Sequence, residues 1–160
     1  MAAATRFYHL TCSGVDQTLA TLIDRSLAAG WRVVVRGGNP SRLEEIDRAL
    51  WTGSDEGFLP HGLSGGPHDA LQPVLLTAAA AIPNAAQCLM AVDGAEVGAE
   101  DCAGLERVCI LFDGNDPEAL SRARTQWKAF TTAGIAAEYW SEDSGRWQMK
   151  SSTAPKAPDA

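Results

Sequence analysis

The chain has 160 residues, 46% of them hydrophobic, and a formal net charge of −7 at pH 7. This length and apolar content predict a folded domain with a hydrophobic core and exclude a chain that is disordered throughout. Because proteins that bind DNA usually need net positive charge or a dense basic stripe, the negative net charge argues against direct binding to duplex DNA.

The sequence also predicts a reduced, cytoplasmic protein without a membrane partner. No window approaches the ~20 apolar residues of a membrane span, and the first thirty residues lack the uninterrupted apolar run of a signal peptide. The four cysteines, Cys12, Cys88, Cys102 and Cys109, form no C-x-x-C pair. Cys88 and Cys109 lie in apolar, strand-like runs, which is typical of buried free thiols.

The first third of the chain predicts two strand–helix units. Residues 6–10 alternate as a strand does, and Asp16 is the expected cap of a helix that Gly30 ends. Residues 31–35 are a compact apolar run suited to a strand buried on both faces. After a Gly-Gly-Asn-Pro turn, Ser41 and Glu44 have the spacing of a capping box for a second helix. Its apolar positions are Leu43, Ile46, Ala49 and Leu50.

The rest of the chain predicts a long loop, more strands and one late helix. Residues 52–70 have the composition of a loop, and strands are expected at 74–77, 87–92 and 107–112. A third helix is expected from Pro117 to about residue 133, with Gly134 after it. Ala119, Ala123, Phe130 and Ala133 share its predicted core face. Two strands, 135–140 and 147–150, close the fold.

This order predicts an α/β sandwich, a single domain over residues 1–150 with a largely parallel (mixed) sheet and helices on both faces. It is Rossmann-like but has no nucleotide fingerprint, because both G-x-G-x-x-G and G-x-x-x-x-G-K-[ST] are absent. Residues 151–160 are Ser, Thr, Pro, Lys, Asp and Ala without periodicity, and we expect a disordered tail there.

Catalytic chemistry is not indicated by any assembled motif, and we expect no activity of the chain's own, no cofactor and no metal. Asp93-Gly94 and Asp113-Gly114 follow strands, where α/β enzymes often keep a carboxylate. Asp-Gly is equally a favoured turn pair. The alternative reading is therefore a small α/β enzyme or nucleotide-binding protein that uses Asp93 or Asp113.

Three stretches, taken together, resemble the chi subunit family of DNA polymerase III over about residues 4–150. The first is Leu50-Trp51 with the run Phe58 to Gly62, and the second is the run Gln72 to Thr77 with Asn84. The third is the longest and contains Glu106-Arg107-Val108, Ile110 to Gly114, Asp116, Ala123-Arg124, Gln126-Trp127-Lys128, Gly134, Tyr139-Trp140 and Gly145-Arg146-Trp147.

The resemblance implies a non-catalytic adaptor in bacterial DNA replication. Chi proteins bind the psi subunit, which links them to the clamp loader. They also bind the acidic, phenylalanine-ending C-terminal tail of single-stranded DNA-binding protein. The expected partners are therefore psi or an equivalent clamp-loader-linked protein and that tail, with DNA contacted only indirectly.

The resemblance places the tail site on the third predicted helix. Arg124 and Lys128 are one turn apart, and Trp127 lies between them and the core face. Some relatives have a further lysine where this chain has Leu120, so we expect either that the tail binds less electrostatically or that Arg122 partly replaces that charge. The alternative is that Trp127 is a core aromatic beside an ordinary solvated face.

The resemblance places the second partner on Trp51, Phe58 and Leu59. In the family, this Trp and Phe meet psi or a helicase-like competitor, and exposed aromatics are common at binding hot spots. The alternative is that both rings fold back over the core, because large aromatics are usually well buried.

Overall fold

The computed structural model describes residues 4–11, 14–52, 61–65, 69–79, 82–102, 105–142 and 147–152. Its strands are β1 (Ala4–Leu10), β2 (Val33–Gly37), β3 (Gly62–Leu63), β4 (Val74–Thr77), β5 (Cys88–Val92), β6 (Arg107–Asp113), β7 (Ala137–Ser141) and β8 (Gln148–Ser152). Its helices are α1 (Val15–Ala28), α2 (Pro40–Thr52), α3 (Ala99–Cys102) and α4 (Pro117–Thr132). Across these ranges, no helix is both long and apolar enough to cross a bilayer.

The strands of the described ranges form one eight-stranded sheet in the order β3-β4-β2-β5-β6-β1-β7-β8. Strands β1 to β7 run parallel, and β8 pairs antiparallel with β7. All five residues of β2 and of β5 are buried, as expected of parallel strands covered on both faces. The predicted α/β fold with a largely parallel, mixed sheet is confirmed.

Two apolar layers cover the two faces of the sheet. On one face, α1 and α2 contribute Leu19, Ile23 and Ile46 to a buried cluster with the inner strands. On the other face, α4 contributes Ala123 and Phe130 to a second cluster. The prediction of helices on both faces is confirmed. Successive side chains of the inner strands point alternately into the two clusters, as Val33 and Val35 do into one and Val34 into the other.

The described cysteines contribute to these cores as buried free thiols, as predicted for Cys88 and Cys109. Both lie in the layer under α1 and α2, on the neighbouring strands β5 and β6. Cys12 lies outside the described residues. The thiols of Cys88 and Cys109 therefore act as small apolar groups in the core.

Two helix starts differ from the predictions. Gly14 is the N-cap of α1, and Asp16 lies inside the first turn, where its charge still favours the helix dipole. The expected capping box at Ser41 is wrong, because α2 already begins at Pro40. The Asn39 side chain accepts a hydrogen bond from the Ser41 N–H at 2.9 Å and so satisfies a free amide of the first turn.

Further differences concern short elements and element ends. Strand β3 lies within residues 52–70, where the sequence predicts a loop, and helix α3 lies between two predicted strands, where no element is predicted. Ala133 was expected in the core but is exposed, because it follows the last residue of α4. Strand β8 continues through Ser152, two residues into the segment expected to be a tail. Residues 153–160 lie outside the described residues.

The phenol of Tyr8 is expected to lose its proton at an unusually high pH. Tyr8 is 8% exposed in β1, and burial raises its pKa to about 12 although Arg6 lowers it. Below pH 10 the phenol is protonated, and its full contribution to the stability of the folded state is present. That contribution, up to roughly 3 kcal/mol, is lost as the pH rises from about 10 through about 12.

Absorbance of tyrosinate in a Tyr139→Phe variant measures this directly, because Tyr8 is then the one tyrosine left of the two in the chain. Unfolding of Tyr8→Phe should lack the corresponding alkaline loss of stability. A titration midpoint near pH 10 in the folded protein would contradict the expected shift.

Candidate functional site

Helix α4 carries an unbalanced positive charge. After Glu118 in its first turn, residues 119–132 contain three basic side chains and no acidic one. Arg124 and Lys128, one turn apart, are both exposed. Within the part of the chain that the structure describes, neither forms an ion pair. Both cations are therefore free to meet an anionic group from outside.

Trp127 lies at the boundary between this charged face and the core. The indole is half-buried and packs against the cluster under α4. Its ring meets Phe7 edge-on at 5.4 Å between centroids and Tyr139 at 5.9 Å. Leu120, two turns earlier, is likewise half-buried against the same cluster. The indole thus packs partly against the core and leaves part of its surface exposed.

An aromatic layer fixes the position of Trp127 from below. The Tyr139 hydroxyl lies 2.8 Å from Nδ1 of His9, and the His9 ring stacks on Phe112 at 5.2 Å. Phe7 also meets Phe130 of α4 at 6.0 Å. Rings packed in this way hold one another in defined geometries. His9 and Tyr139 were not predicted as part of this site, although their alternating positions in β1 and β7 indicate which face of the sheet they occupy.

Arg122 does not take the place of the missing lysine. At 100° per residue it lies about 160° around the helix from Arg124. Its guanidinium packs over Gly94, where an added Cβ would collide with it. This position gives no support to Arg122 as a replacement for that charge, and the exposed cations on the Trp127 side of α4 are Arg124 and Lys128.

The second predicted surface falls mostly outside the described residues. Phe58 and Leu59 lie there, and Trp51 is described only as a position near the end of α2. His61, the first described residue after that gap, is buried, and its Nε2 lies 3.0 Å from Oδ1 of Asp47 in α2. This contact ties the chain after residues 53–60 back to the helix that carries Trp51.

The strand-end carboxylates behave as turn residues. Asp93 has φ of 53° beside Gly94 at 77°, a left-handed pair typical of a tight turn. The Asp113 carboxylate accepts a hydrogen bond from the Asn115 N–H at 2.9 Å, which forms a local Asx turn. These contacts favour the turn interpretation over a catalytic one.

A cleft of about 300 Å³ does open beside these turns, at the carboxyl edge of β5 and β6. Its walls hold the carboxylates of Asp93, Asp113 and Asp116, which would repel nucleotide phosphates and outnumber the two cations of the lining, Arg42 and Arg122. Arg42, a cation in the cleft, already pairs with Asp16 at 2.8 Å and Glu45 at 2.6 Å, and with Asp93 at 3.3 Å. The charge of this cleft is unfavourable for a nucleotide.

Comparison with known proteins identifies the family. The chain matches the family described as "DNA polymerase III chi subunit, HolC" over residues 1–138. A protein of Rickettsia prowazekii (strain Madrid E) called "Probable DNA polymerase III subunit chi" is 26% identical over 90 residues, which is 56% of this chain. The match spans 54%, about half, of that relative's length.

The matched residues include β1 to β6 and all of α4. They carry most of the α/β fold described above. The chain belongs to the DNA polymerase III chi subunit family, which confirms the resemblance drawn from the sequence.

Proposed function

We propose that this protein is a non-catalytic adaptor that links the clamp-loader complex of DNA polymerase III to single-stranded DNA-binding protein. It does so by binding the acidic, phenylalanine-ending C-terminal tail of that protein on α4. One observation carries the proposal: Arg124 and Lys128 are exposed and without ion pairs among the described residues, beside a half-buried indole.

The chemistry of this face suits such a tail. The terminal phenylalanine ring packs against the exposed part of Trp127 and the side chain of Leu120. The Arg124 guanidinium receives the terminal carboxylate, for which its planar fork is well shaped. Lys128, one turn further, attracts the preceding acidic side chains. Because the aromatic layer beneath holds the indole in place, little conformational entropy is lost on binding.

Leu120 gives the site a more apolar character than that of relatives with a lysine at this place. With two cations instead of three, binding depends less on ionic strength and more on the apolar contact of the terminal ring. We therefore expect salt to weaken the complex but not to abolish it.

Titration of the chain into a fluorescent peptide of acidic residues ending in Pro-Phe tests the proposal. We expect a dissociation constant in the micromolar range, which corresponds to roughly −8 kcal/mol. The same peptide with an amidated C-terminus, or without its final phenylalanine, should bind at least about tenfold more weakly. Equal affinity for all three peptides would contradict a site that reads a terminal phenylalanine carboxylate.

A second surface, formed by Trp51, Phe58 and Leu59, is proposed to bind psi or an equivalent clamp-loader-linked protein. The contact of His61, the residue that follows this stretch in the sequence, with Asp47 of α2 supports it. We expect Trp51→Ala to lose this partner in affinity purification from the native cell while it retains the acidic peptide. Loss of both ligands would indicate a folding defect instead.

A further inference from the structure

A second concave surface lies on the opposite face of the sheet from α4. It is a groove of about 320 Å³ between α1 and the strands β1 and β7, and we call it the tryptophan groove. Its aromatic wall consists of Tyr8, Trp140 and Trp147. Helix α1 packs mainly over β2, β5 and β6. Strands β1 and β7 are therefore partly uncovered on this face, where the groove lies.

The rings of the groove are ordered and partly accessible. Trp147 meets Tyr8 edge-on at 5.5 Å and is 38% exposed. The Trp140 indole is half-buried, and its Nε1–H donates to Oε1 of Glu138 at 2.9 Å. Aromatic surface that is both fixed and exposed costs little entropy to use in binding.

The charge of the groove opposes that of the whole chain. Its lining contains Arg6 and Arg25 but no carboxylate, in a protein of net charge −7. Arg6 pairs with Glu138 at 3.4 Å. Arg25 is exposed, and the described part of the chain shows no ion pair to it. A local positive field of this kind can attract an anion despite the net charge.

The same pairing of arginine and aromatic ring continues along this face of the sheet. The Arg107 guanidinium lies 5.0 Å from the centre of the Trp31 ring, one strand away from Arg6. On the α1 side, Gln17, Thr18 and Thr21 add neutral hydrogen-bonding groups. The surface therefore offers flat rings, cations and neutral polar groups side by side.

We propose that the tryptophan groove binds single-stranded nucleic acid. A single strand carries planar bases that stack on exposed indoles and phosphates that pair with arginines, which is the usual recognition mode for unpaired strands. A duplex keeps its bases stacked inside and cannot use these rings. An acidic peptide with one terminal ring would use the arginines but leave most of the aromatic wall empty.

This inference does not depend on the peptide site, and it departs from the expectation that DNA is contacted only indirectly. That expectation came with the family resemblance and agreed with the net charge of −7, whereas the groove has its own local charge. Arg25 is available to a phosphate, whereas Arg6 is shared with Glu138. The logarithm of the affinity should therefore fall with the logarithm of salt concentration with a slope between about −0.7 and −1.4.

Fluorescence anisotropy of a labelled short oligothymidylate, titrated with the full chain at several salt concentrations, tests the proposal. We expect Trp147→Ala to weaken binding about tenfold or more. Arg25→Ala should weaken it and reduce the slope by about 0.7. Arg124→Ala, on the other face of the sheet, should leave oligonucleotide binding unchanged.

Two results would overturn the inference. One is no saturable oligonucleotide binding at low salt, or binding that neither Trp147→Ala nor Arg25→Ala weakens. The other is that the acidic, phenylalanine-ending peptide loses affinity in Arg25→Ala and keeps it in Arg124→Ala, which would make the groove a peptide site. Trp147→Ala and Arg25→Ala test oligonucleotide binding, and Arg124→Ala tests peptide binding. Failure of the groove proposal is therefore distinguishable from failure of the peptide site on α4.

Discussion

Phe7→Ala is expected to lower the free energy of unfolding by about 3–5 kcal/mol, the range for removing a buried aromatic side chain. Phe7 is fully buried in β1, between β6 and β7, and its ring contacts both Trp127 and Phe130. The substitution removes apolar burial and leaves a cavity directly beneath α4. Chemical denaturation followed by tryptophan fluorescence measures the loss.

Phe7→Leu is the matched control, because it keeps most of the apolar volume. It should cost clearly less stability than the alanine variant. It also removes the edge contact that supports the Trp127 indole, so the folded variant should bind the acidic peptide more weakly. A loss of less than about 1 kcal/mol in Phe7→Ala would mean that this ring is not the support described here.

Arg124→Ala is expected to weaken binding of the acidic, phenylalanine-ending peptide by about tenfold or more. The guanidinium is the group of α4 best shaped for a carboxylate, and a hydrogen bond to a charged partner contributes about 1.5–3 kcal/mol. Because Arg124 is exposed, the folded state should lose little stability. Peptide anisotropy at fixed low salt measures the affinity.

Arg122→Ala provides the matched control for this prediction. It removes the same type of side chain from the same helix, but on the side that faces Gly94. Peptide affinity in Arg122→Ala should stay within about twofold of the unchanged chain, the effect expected of a distant surface charge. An equal loss in both variants would show that the overall charge of α4, and no defined site, attracts the peptide.

Much of the fold could be predicted from the sequence because its inner strands are unambiguous. Runs such as Val33-Val34-Val35 are buried on both faces and can hardly be other than parallel strands. Strand β3 was missed because its two residues are a strand only through pairing with β4. The start of α2 was misplaced because Ser41 and Asn39 both suit a cap, and the position of Pro40 decides between them.

The candidate site was only partly predictable for a related reason. Helical spacing alone places Arg124 and Lys128 on one face. How deeply Trp127 is buried depends on Phe7 and Tyr139, which come from strands far away in the sequence. The tryptophan groove was not anticipated at all, since its rings and arginines come from both ends of the chain and only the sheet order brings them together.

The indole N–H signals of the isotope-labelled chain offer the most direct test of the peptide site, because the chain has five tryptophans in distinct places. On addition of the acidic, phenylalanine-ending peptide, we expect a saturable shift of the Trp127 signal, with those of Trp140 and Trp147 unmoved. A Trp127 signal that stays in place while the peptide binds would contradict it.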